Sequence, residues 1–568
     1  MGIPSYFRRI LRVWPACLRS SVQGTPDALC FDFNCLVYRC LHAPSLPPYT
    51  LETHDAWEEA LLQEVKRTVK EVWVEAGRPP RVFIAVDGVV PMAKIRQQRM
   101  RRFKSAWLSA DSNESGNPSW DPTSRAGREH PGGSATWDKN AITPGTRFME
   151  KLTKALETLV SEHRGWSLSS VDQNGEGEHK VMNWLRTNSG LKSVVVYGLD
   201  ADLILLSLIT SAQTGIQISL LREKQEFGGP TTLDGVQQYQ VLVLEELGKR
   251  AGIQPRDLKS VLNYVALMSL MGNDFLPHSL THSLSDDGHE CVVQAVRKGV
   301  QIIQETEGRW TINRESLLHL IQEWSTDEES RLVHMIQKKR EQAMRGVGKG
   351  MEEREGLPLE WNVEECILPS RSRNRQVPKC LTPLRGVNTE ALDGSALQCQ
   401  LIAPLRGANN FGTGGNLVEG WKDLVWEWIH PSASQETCRD LCEKYLFGCQ
   451  WILDYYTGQR EVDLLWMFPA WLPPLWSDFA MVGNDPLQEA PIGAAPLKPE
   501  EQLAMVLPLA SWDLVRDKKL RRLPVEFPQM WPLTFGFQSA GRKWLWQCEA
   551  LVPVLTAERV RGFLETLQ

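Results

Sequence analysis

Seven carboxylates in this 568-residue chain fall at places where a fold concentrates chemistry. Asp32 closes an apolar run at 28–33, Asp87 follows a second at 82–86, and Asp200 and Asp202 follow a third at 194–197. Glu176 and Glu178 sit in Gly175-Glu-Gly-Glu-His179, where glycines permit a tight turn into a helix. Asp274 lies in Gly272-Asn-Asp-Phe-Leu-Pro277, behind another apolar stretch. Taken singly, each Asp reads as a helix N-cap or a solvated strand end. Together they crowd like charges: at ~4 Å and an effective dielectric of about 20 a pair repels by about 4 kcal/mol, so the ionised group needs cations among it. Carboxylates without neighbouring Cys or multiple His favour one or two hard divalent ions, Mg²⁺ or Mn²⁺, over zinc. Such oxygen-rich sites serve phosphate chemistry, in which the metals activate a water, bridge the scissile phosphate and stabilise the leaving oxygen.

A second candidate lies just downstream of Asp87. Residues 92–107, MAKIRQQRMRRFKSAW, carry six cations and no acid. At about 100° per residue, Lys94, Gln98, Arg101 and Arg102 fall within a sector of about 100°, so they can converge on one anion. Guanidinium forks grip phosphate oxygens in bidentate fashion, Lys adds a point charge and Gln directs a hydrogen bond, which makes a phosphate pocket. A solvated basic helix or a nuclear-localisation patch is the plainer reading of such a run. Proximity to Asp87 favours the pocket.

Both groups need a frame. Over the first two hundred residues short apolar runs alternate with helical patterns, which predicts a parallel sheet with crossover helices. The runs at 28–33, 82–86 and 194–197 read as buried strands. Between the first two, Leu61, Val65, Thr68, Val69, Val72, Trp73 and Ala76 share one helical stripe, which Gly77, Pro79 and Pro80 end. That layout sends the carboxylates to the C-terminal edge of the sheet, where open α/β sheets bind ligands. Residues 109–140, rich in Ser, Gly, Asp and Pro, are expected to form a mobile surface insertion. The expected organisation is an α/β core over 1–325, a charged helix and irregular junction over 326–416, and a C-terminal region over 417–568. That last part holds eleven of the 22 tryptophans, so it differs in composition from the rest.

Composition narrows the class. With 42% apolar, 23% charged and 8% aromatic residues the chain has a globular profile, and no apolar run reaches the ~18 residues that span a bilayer. Twelve scattered cysteines without a Cys-x-x-Cys pair argue against a disulfide scaffold and against a zinc ribbon. A net charge of −6 names no partner, so a nucleic-acid surface must come from local segregation of charge. Arg8, Arg9, Arg12 and Arg19 stand in the first 26 residues without an acid, which superficially suits a mitochondrial presequence. The favoured reading is a short helix packing Phe7, Ile10, Leu11 and Trp14 inward. Tyr6 stands where a myristoylation motif wants Ser or Thr, so no lipid anchor is expected.

The motifs that hold these residues resemble, in order, those of the XRN family of 5′-to-3′ exoribonucleases. The likeness runs through MGIPSYFRR at the start, FDFNCLVY (31–38), VDGVVPMAKIRQQRMRRFKSA (86–106), AITPGTRFM (141–149), GEGEHKVM (175–182), YGLDADLILLSL (197–208) and GNDFLPH (272–278). It continues more weakly through YLFGCQWILDYYTG (445–458), LLWMFPAWLPPLWSD (464–478), EQLAMVLP (501–508) and WLWQCEALVPVLTAERV (544–560). A compact member without the long C-terminal extension of the family's cytoplasmic branch is expected. The resemblance implies a PIN/flap-nuclease-like parallel-sheet core with helices on both faces, and a Trp-rich, mainly helical C-terminal region packed against it. It further implies that Asp32, Asp87, Glu176, Glu178, Asp200, Asp202 and Asp274 are the metal-binding acids. Lys94, Gln98, Arg101 and Arg102 match the family's 5′-monophosphate pocket. The expected substrate is single-stranded RNA with a 5′-monophosphate, degraded to mononucleotides by a monomer; the expected compartment is the cytoplasm, with the nucleus as the alternative.

Some positions depart from the family pattern. Tyr38 stands where a base-stacking His is usual, and a phenol ring can also stack. Trp546 is the candidate on the other side of the base stack, although most of the tryptophans are expected in the core. A Tyr/His-rich segment is replaced by Phe468-Pro-Ala-Trp-Leu-Pro-Pro-Leu-Trp476, and a Pro by Asn174; neither removes a candidate ligand. Two rivals are a flap-type endonuclease and a non-catalytic RNA-binding scaffold. The first lacks a Gly-rich hairpin sequence after Asp274, and the second would have lost acids that this chain keeps.

Overall fold

The computed structural model of the chain describes residues 3, 5–111, 136–224, 232–233, 236–284, 286–335, 422, 426, 435–483, 496–532, 535, 537–538 and 549–566. Its frame is a seven-stranded sheet of β1 (Leu18–Arg19), β2 (Ala28–Asp32), β3 (Arg81–Ala85), β4 (Trp166–Ser169), β5 (Ser193–Tyr197), β6 (Gln217–Glu223) and β9 (Tyr239–Val243), with a small hairpin, β7 (Thr232–Leu233) and β8 (Val236–Gln237), before the last. The strand order is β1-β9-β6-β5-β2-β3-β4. β6, β5, β2, β3 and β4 run parallel, while β9 pairs antiparallel to both β6 and β1. The three runs expected as strands form β2, β3 and β5, side by side at the middle. From β2 the chain goes to β3 on one side and later returns with β5 on the other, so the end of β2 is a topological switch point, where open sheets form a crevice.

Side chains alternate across β2 with the period of two that a strand imposes. Ala28 and Cys30 enter one core, Leu29 and Phe31 the other. Five helices of the first half set those cores: α3 (His54–Glu75) and α5 (Arg147–Ser161) cover the second face, α6 (Gly177–Thr187), α7 (Asp202–Thr214) and α9 (Leu258–Ser269) the first. The expected stripe of α3 is buried at Leu61, Val65, Thr68, Val69 and Val72, and the helix begins seven residues earlier, so that Trp57 joins the same core. The N-terminal helix α1 (Tyr6–Val13) packs through Ile10, with Phe7 and the following Trp14 half-buried against the same core, while Leu11, expected inward, is half-buried and does not join it. Tyr6 is buried as well, and its hydroxyl meets that of Tyr264 at 2.8 Å.

Two further elements position the site, α2 (Asn34–Cys40) after β2 and α4 (Met92–Asp111) after β3, while α8 (Leu244–Ala251) follows β9. Beyond α9 come α10 (Gly288–Arg297), the hairpin β10 (Ile303–Thr306) and β11 (Arg309–Ile312), α11 (Arg314–Ser325), α12 (Gln435–Thr457), α13 (Pro499–Val506), the short pair β12 (Phe537–Gln538) and β13 (Glu549–Ala550), and α14 (Ala557–Thr566). α12 lies against α7, α9 and β11, and α4 against α13 and β13. The C-terminal part therefore closes over the carboxyl edge of the sheet. The expected insertion at 109–140 is shorter at both ends. Residues up to Asp111 belong to α4, and Trp137 packs on Trp57 and Phe148 at ring separations of 5.5 and 4.9 Å. Its remainder, 112–135, and the bulk of the expected junction lie outside the described residues. Among the described residues no helix is long and apolar enough to cross a membrane.

Candidate active site

All seven acids lie at the carboxyl edge of the sheet or on the loops and helix starts facing it. Asp32 ends β2, Asp87 follows β3 by two residues, Glu176 precedes α6 and Glu178 lies in its first turn. Asp202 opens α7, two residues after Asp200, and Asp274 lies in the turn after α9. One oxygen each of Asp32, Asp87 and Glu178 come within 4.8 Å of one another. Lys94, from the first turn of α4, joins this group to the rest: its Nζ is 2.5 Å from Asp274 Oδ2, 2.8 Å from Glu176 Oε1 and 3.9 Å from Glu178 Oε1. Asp202 is 3% exposed, and its Oδ1 finds no hydrogen-bond partner among the described residues.

Local sequence explains the close approach. A Cβ on Gly177 would stand 2.7 Å from Asp32 Oδ1 and 2.9 Å from Ala85 O, so only glycine lets α6 carry two glutamates against the ends of β2 and β3. A Cβ on Gly198 would likewise lie 2.6 Å from Leu203 Cδ2 and 3.1 Å from Asp32 Cβ. The Gly177 amide in turn donates to Asp87 Oδ1 at 2.6 Å, the start of a helix holding a carboxylate as its orphan amides and dipole favour. Asn34, at the start of α2, donates to Asp87 Oδ2 at 2.8 Å. Gln97 donates to Asp274 Oδ1, and Tyr455 of α12 donates to Glu176 Oε2 at 2.9 Å while its ring lies 3.9 Å from that of His179.

The electrostatics match the crowding at Asp32, Asp87, Glu178 and Asp202, whereas Lys94, against burial, draws Asp274 below the ordinary range. Burial first, then the charges of Asp87 and Asp200, pushes the Asp32 carboxyl well above the ordinary range. Burial raises Asp87 to about 6 against the pull of the Gly177 amide and Lys94. Glu178 is raised by burial and Glu176, Asp202 by burial and Asp274. Lys94 is held charged by Asp274 and Glu176 in spite of its burial. A nest that cannot hold all its negative charge in water's absence is suited to a divalent cation. The donors are hard carboxylate oxygens, with no Cys or His in the close trio, so the residues present fit such an ion.

The cationic residues of α4 divide by face. Lys94 points into the nest. Arg101 is exposed, and Arg102 is half-buried and donates to Thr143 Oγ1 at 2.6 Å; burial lowers its guanidinium from the ordinary range. Gln98 is half-buried, with Oε1 lacking a hydrogen-bond partner among the described residues. Tyr38, on α2, is 41% exposed. Trp546 lies outside the described residues.

Sequence reasoning missed Asn34, Gln97 and Tyr455. Gln97 is within 60° of Lys94 on the helical wheel, so the same arithmetic that selected Gln98 could have found it. Asn34 lies within the motif FDFNCLVY at 31–38. Tyr455 likewise lies within a motif of the resemblance, at 445–458, but nothing local points to Glu176, because that partner is 279 residues away.

Fold and site together define an α/β nuclease-type protein with an acidic centre able to hold metal. Comparison with known proteins gives the family. Residues 1–224 match the XRN 5′-3′ exonuclease N-terminus and 257–568 the Xrn1 helical domain. Similar proteins include 5′-3′ exoribonuclease 2 of Debaryomyces hansenii, 26% identical over 100% of this chain and 70% of that protein, and 5′-3′ exoribonuclease 2 of Gallus gallus, 24% identical over 100% and 70%. 5′-3′ exoribonuclease 1 of Saccharomyces cerevisiae is 31% identical over 49% of this chain and 19% of its own length. The chain belongs to the XRN 5′-3′ exonuclease family.

Proposed function

We propose that this protein is a 5′-3′ exoribonuclease that takes single-stranded RNA bearing a 5′-monophosphate and releases mononucleotides one at a time. The observation that carries the reading is the approach of Asp32, Asp87 and Glu178 to within 4.8 Å at the sheet's carboxyl edge, beside a helix that turns Lys94 into the nest and leaves Arg101 exposed. Family membership and the exoribonuclease names of relatives that span the whole chain support it.

In this reading Asp32, Asp87, Glu176, Glu178, Asp200, Asp202 and Asp274 hold one or two Mg²⁺ or Mn²⁺ ions. A bound hard cation supplies an acidified water and neutralises charge on the phosphate under attack. The chain's own groups prepare that site. Asn34 and the Gly177 amide fix both oxygens of Asp87, Gln97 and Lys94 hold Asp274, and Tyr455 orients Glu176. Lys94 stands between nest and helix, so its charge serves both. Gln98, Arg101 and Arg102 grip the terminal phosphate, and Tyr38 stacks on the leading base. α12, with Tyr455 at its inner end, roofs the nest, which suits a strand threaded by its end rather than a loop or duplex entering from the side.

The test uses one labelled RNA with 5′-monophosphate, 5′-triphosphate or 5′-hydroxyl ends, and a closed circle, with Mg²⁺ present. Mononucleotides released from the monophosphate RNA, with the circle intact, are expected. Internal cuts in the circle would make the protein an endonuclease, and inertness on every end would make it a scaffold.

A further inference from the structure

Helix α4 has a second cationic face, which the site does not use. Relative to Lys94, Arg99 lies about 140° and Arg96 about 200° around the helix, so Arg96 is opposite the face assigned to the phosphate and Arg99 lies about 60° beyond its edge at Arg102. Both are buried, Arg99 to 2% exposure. Neither meets a carboxylate within ion-pair distance among the described residues. Instead each guanidinium donates to backbone carbonyls of the C-terminal region. Arg99 reaches Met505 O at 2.7 Å, Pro553 O at 3.1 Å and Met530 O, three segments far apart in sequence. Arg96 reaches Phe468 O at 2.5 Å and Ala470 O at 3.3 Å, with its guanidinium 4.4 Å from the centre of the Trp471 ring. Around them Met92, Ile95, Met100 and Phe103 enter an apolar core shared with the C-terminal region.

An unpaired guanidinium is an expensive way to dock a helix. Burial alone pulls Arg99 down to about 9, and well-packed apolar residues are often no less stabilising than buried ions. Five directional hydrogen bonds give what apolar packing does not: a set angle about the helix axis and a set position along it, read from five carbonyls. Arg101 and Arg102 follow within six residues on the same rigid helix, so any rotation or slide at Arg99 displaces them.

We infer that Arg96 and Arg99 are positioning residues for recognition of the RNA's 5′ end: through the C-terminal carbonyls they set where α4 presents Gln98, Arg101 and Arg102, without touching RNA themselves. This deepens the proposed function and rests on it. A displacement of about 1 Å in a recognition group can reduce rates by roughly 10²-fold, so the effect is measurable.

The experiment compares wild type with Arg99→Lys, Arg96→Lys and the apolar Arg99→Met. Steady-state kcat and KM are measured on the same RNA carrying a 5′-monophosphate or a 5′-hydroxyl, together with thermal midpoints. Lys keeps the charge but loses the fork, so the Lys variants serve if the Met variant does not fold. The expected result is an increase of about tenfold or more in KM for the monophosphate RNA. The hydroxyl RNA changes by less than about twofold, so the preference collapses whatever happens to the midpoint. A preference within twofold of wild type in both Lys variants, or equal losses on both RNAs, would reduce Arg96 and Arg99 to structural residues. A wild type indifferent to the 5′ end would instead remove the pocket on which the inference rests.

Discussion

The acids of the nest and those of the turn at 475–478 are both buried, and they are built on opposite terms. In the turn at 475–478 every carboxylate oxygen is met. Glu328 accepts from the Trp476 and Ser477 amides at 2.6 and 3.0 Å, and Asp478 from the Leu475 amide at 2.8 Å and Trp426 Nε1 at 3.2 Å. Those acids act as fasteners, since they satisfy backbone donors that would otherwise be stranded. In the nest the acids face one another, and Asp202 keeps an oxygen without a hydrogen bond among the described residues. Burial is common to both groups. Unmet demand separates a site from a fastener, because only the first gains from an added cation.

The sharpest way to break that contrast is to remove one acid from each group. Asp202→Ala should lower the single-turnover rate of mononucleotide release by at least ~10²-fold, the scale of losing one transition-state charge partner. The same variant should unfold in chelator at no lower urea concentration than wild type, because a repelled charge has gone. Retention of a tenth of the rate, or a clear loss of stability, would make Asp202 a fastener too. Glu328→Ala is the mirror case. It strands two buried amides and should cost about 2–5 kcal/mol of stability in urea titration, with the rate per folded molecule unchanged. A rate that falls with stability intact would link the turn to the chemistry.

A finer contrast lies along α4. Arg101, exposed on the face toward the solvent, should lose about 10- to 100-fold of the preference for a 5′-monophosphate over a 5′-hydroxyl when changed to Ala, since a charged hydrogen bond contributes roughly 1.5–3 kcal/mol. Thermal midpoints should stay within about a degree or two, as for exposed positions generally. Competition between the two RNAs in one reaction reads the ratio directly. An unchanged ratio would move the end-binding site off this face.

These contrasts also mark how much the sequence disclosed. The central strands were legible because a parallel strand covered on both faces must be apolar throughout, and Ala28 to Phe31 leave no other reading once helical stripes flank them. The acids were legible because the ends of such strands have one direction to point. The two uses of the cations of α4 were not. The helical wheel puts Arg96 and Arg99 opposite Lys94, but which side meets water depends on Met505, Met530 and Pro553, four hundred residues on. The fasteners were silent for the same reason. Glu328 stands in a run of charges that reads as a solvated helix, and only Trp476, 148 residues away, shows why it is buried. Arg96 gives the departing segment 468–476 its role: the Phe468 and Ala470 carbonyls and the Trp471 ring receive that side chain.

The smallest expected effect tests the fastener group through pH. His282 stacks on Trp324 at 4.8 Å, and its Nδ1 faces Trp476 Nε1 at 3.0 Å and Thr281 Oγ1 at 3.1 Å. The indole can only donate, so this nitrogen must be unprotonated to accept. Burial first, then Arg331, pulls the imidazole from its ordinary 6.5 down to about 4, against the opposing charges of Asp327 and Asp287. A folded-state value below the unfolded one means that the unfolded chain binds the proton first, so the stability His282 contributes is present above pH 6.5 and lost as pH falls toward 4. Between pH 7 and 5 this amounts to about 2 kcal/mol. Glu328 and Asp478, both raised by burial, act in the opposite sense over part of the same window, so the measurement is a difference. Unfolding free energies of wild type and His282→Gln from urea titration should diverge at pH 7 and approach each other by about 2 kcal/mol at pH 5. Parallel curves would mean that His282 gains its proton in the folded protein, and that the turn at 475–478 tolerates a charge which the nest could hold only with a partner.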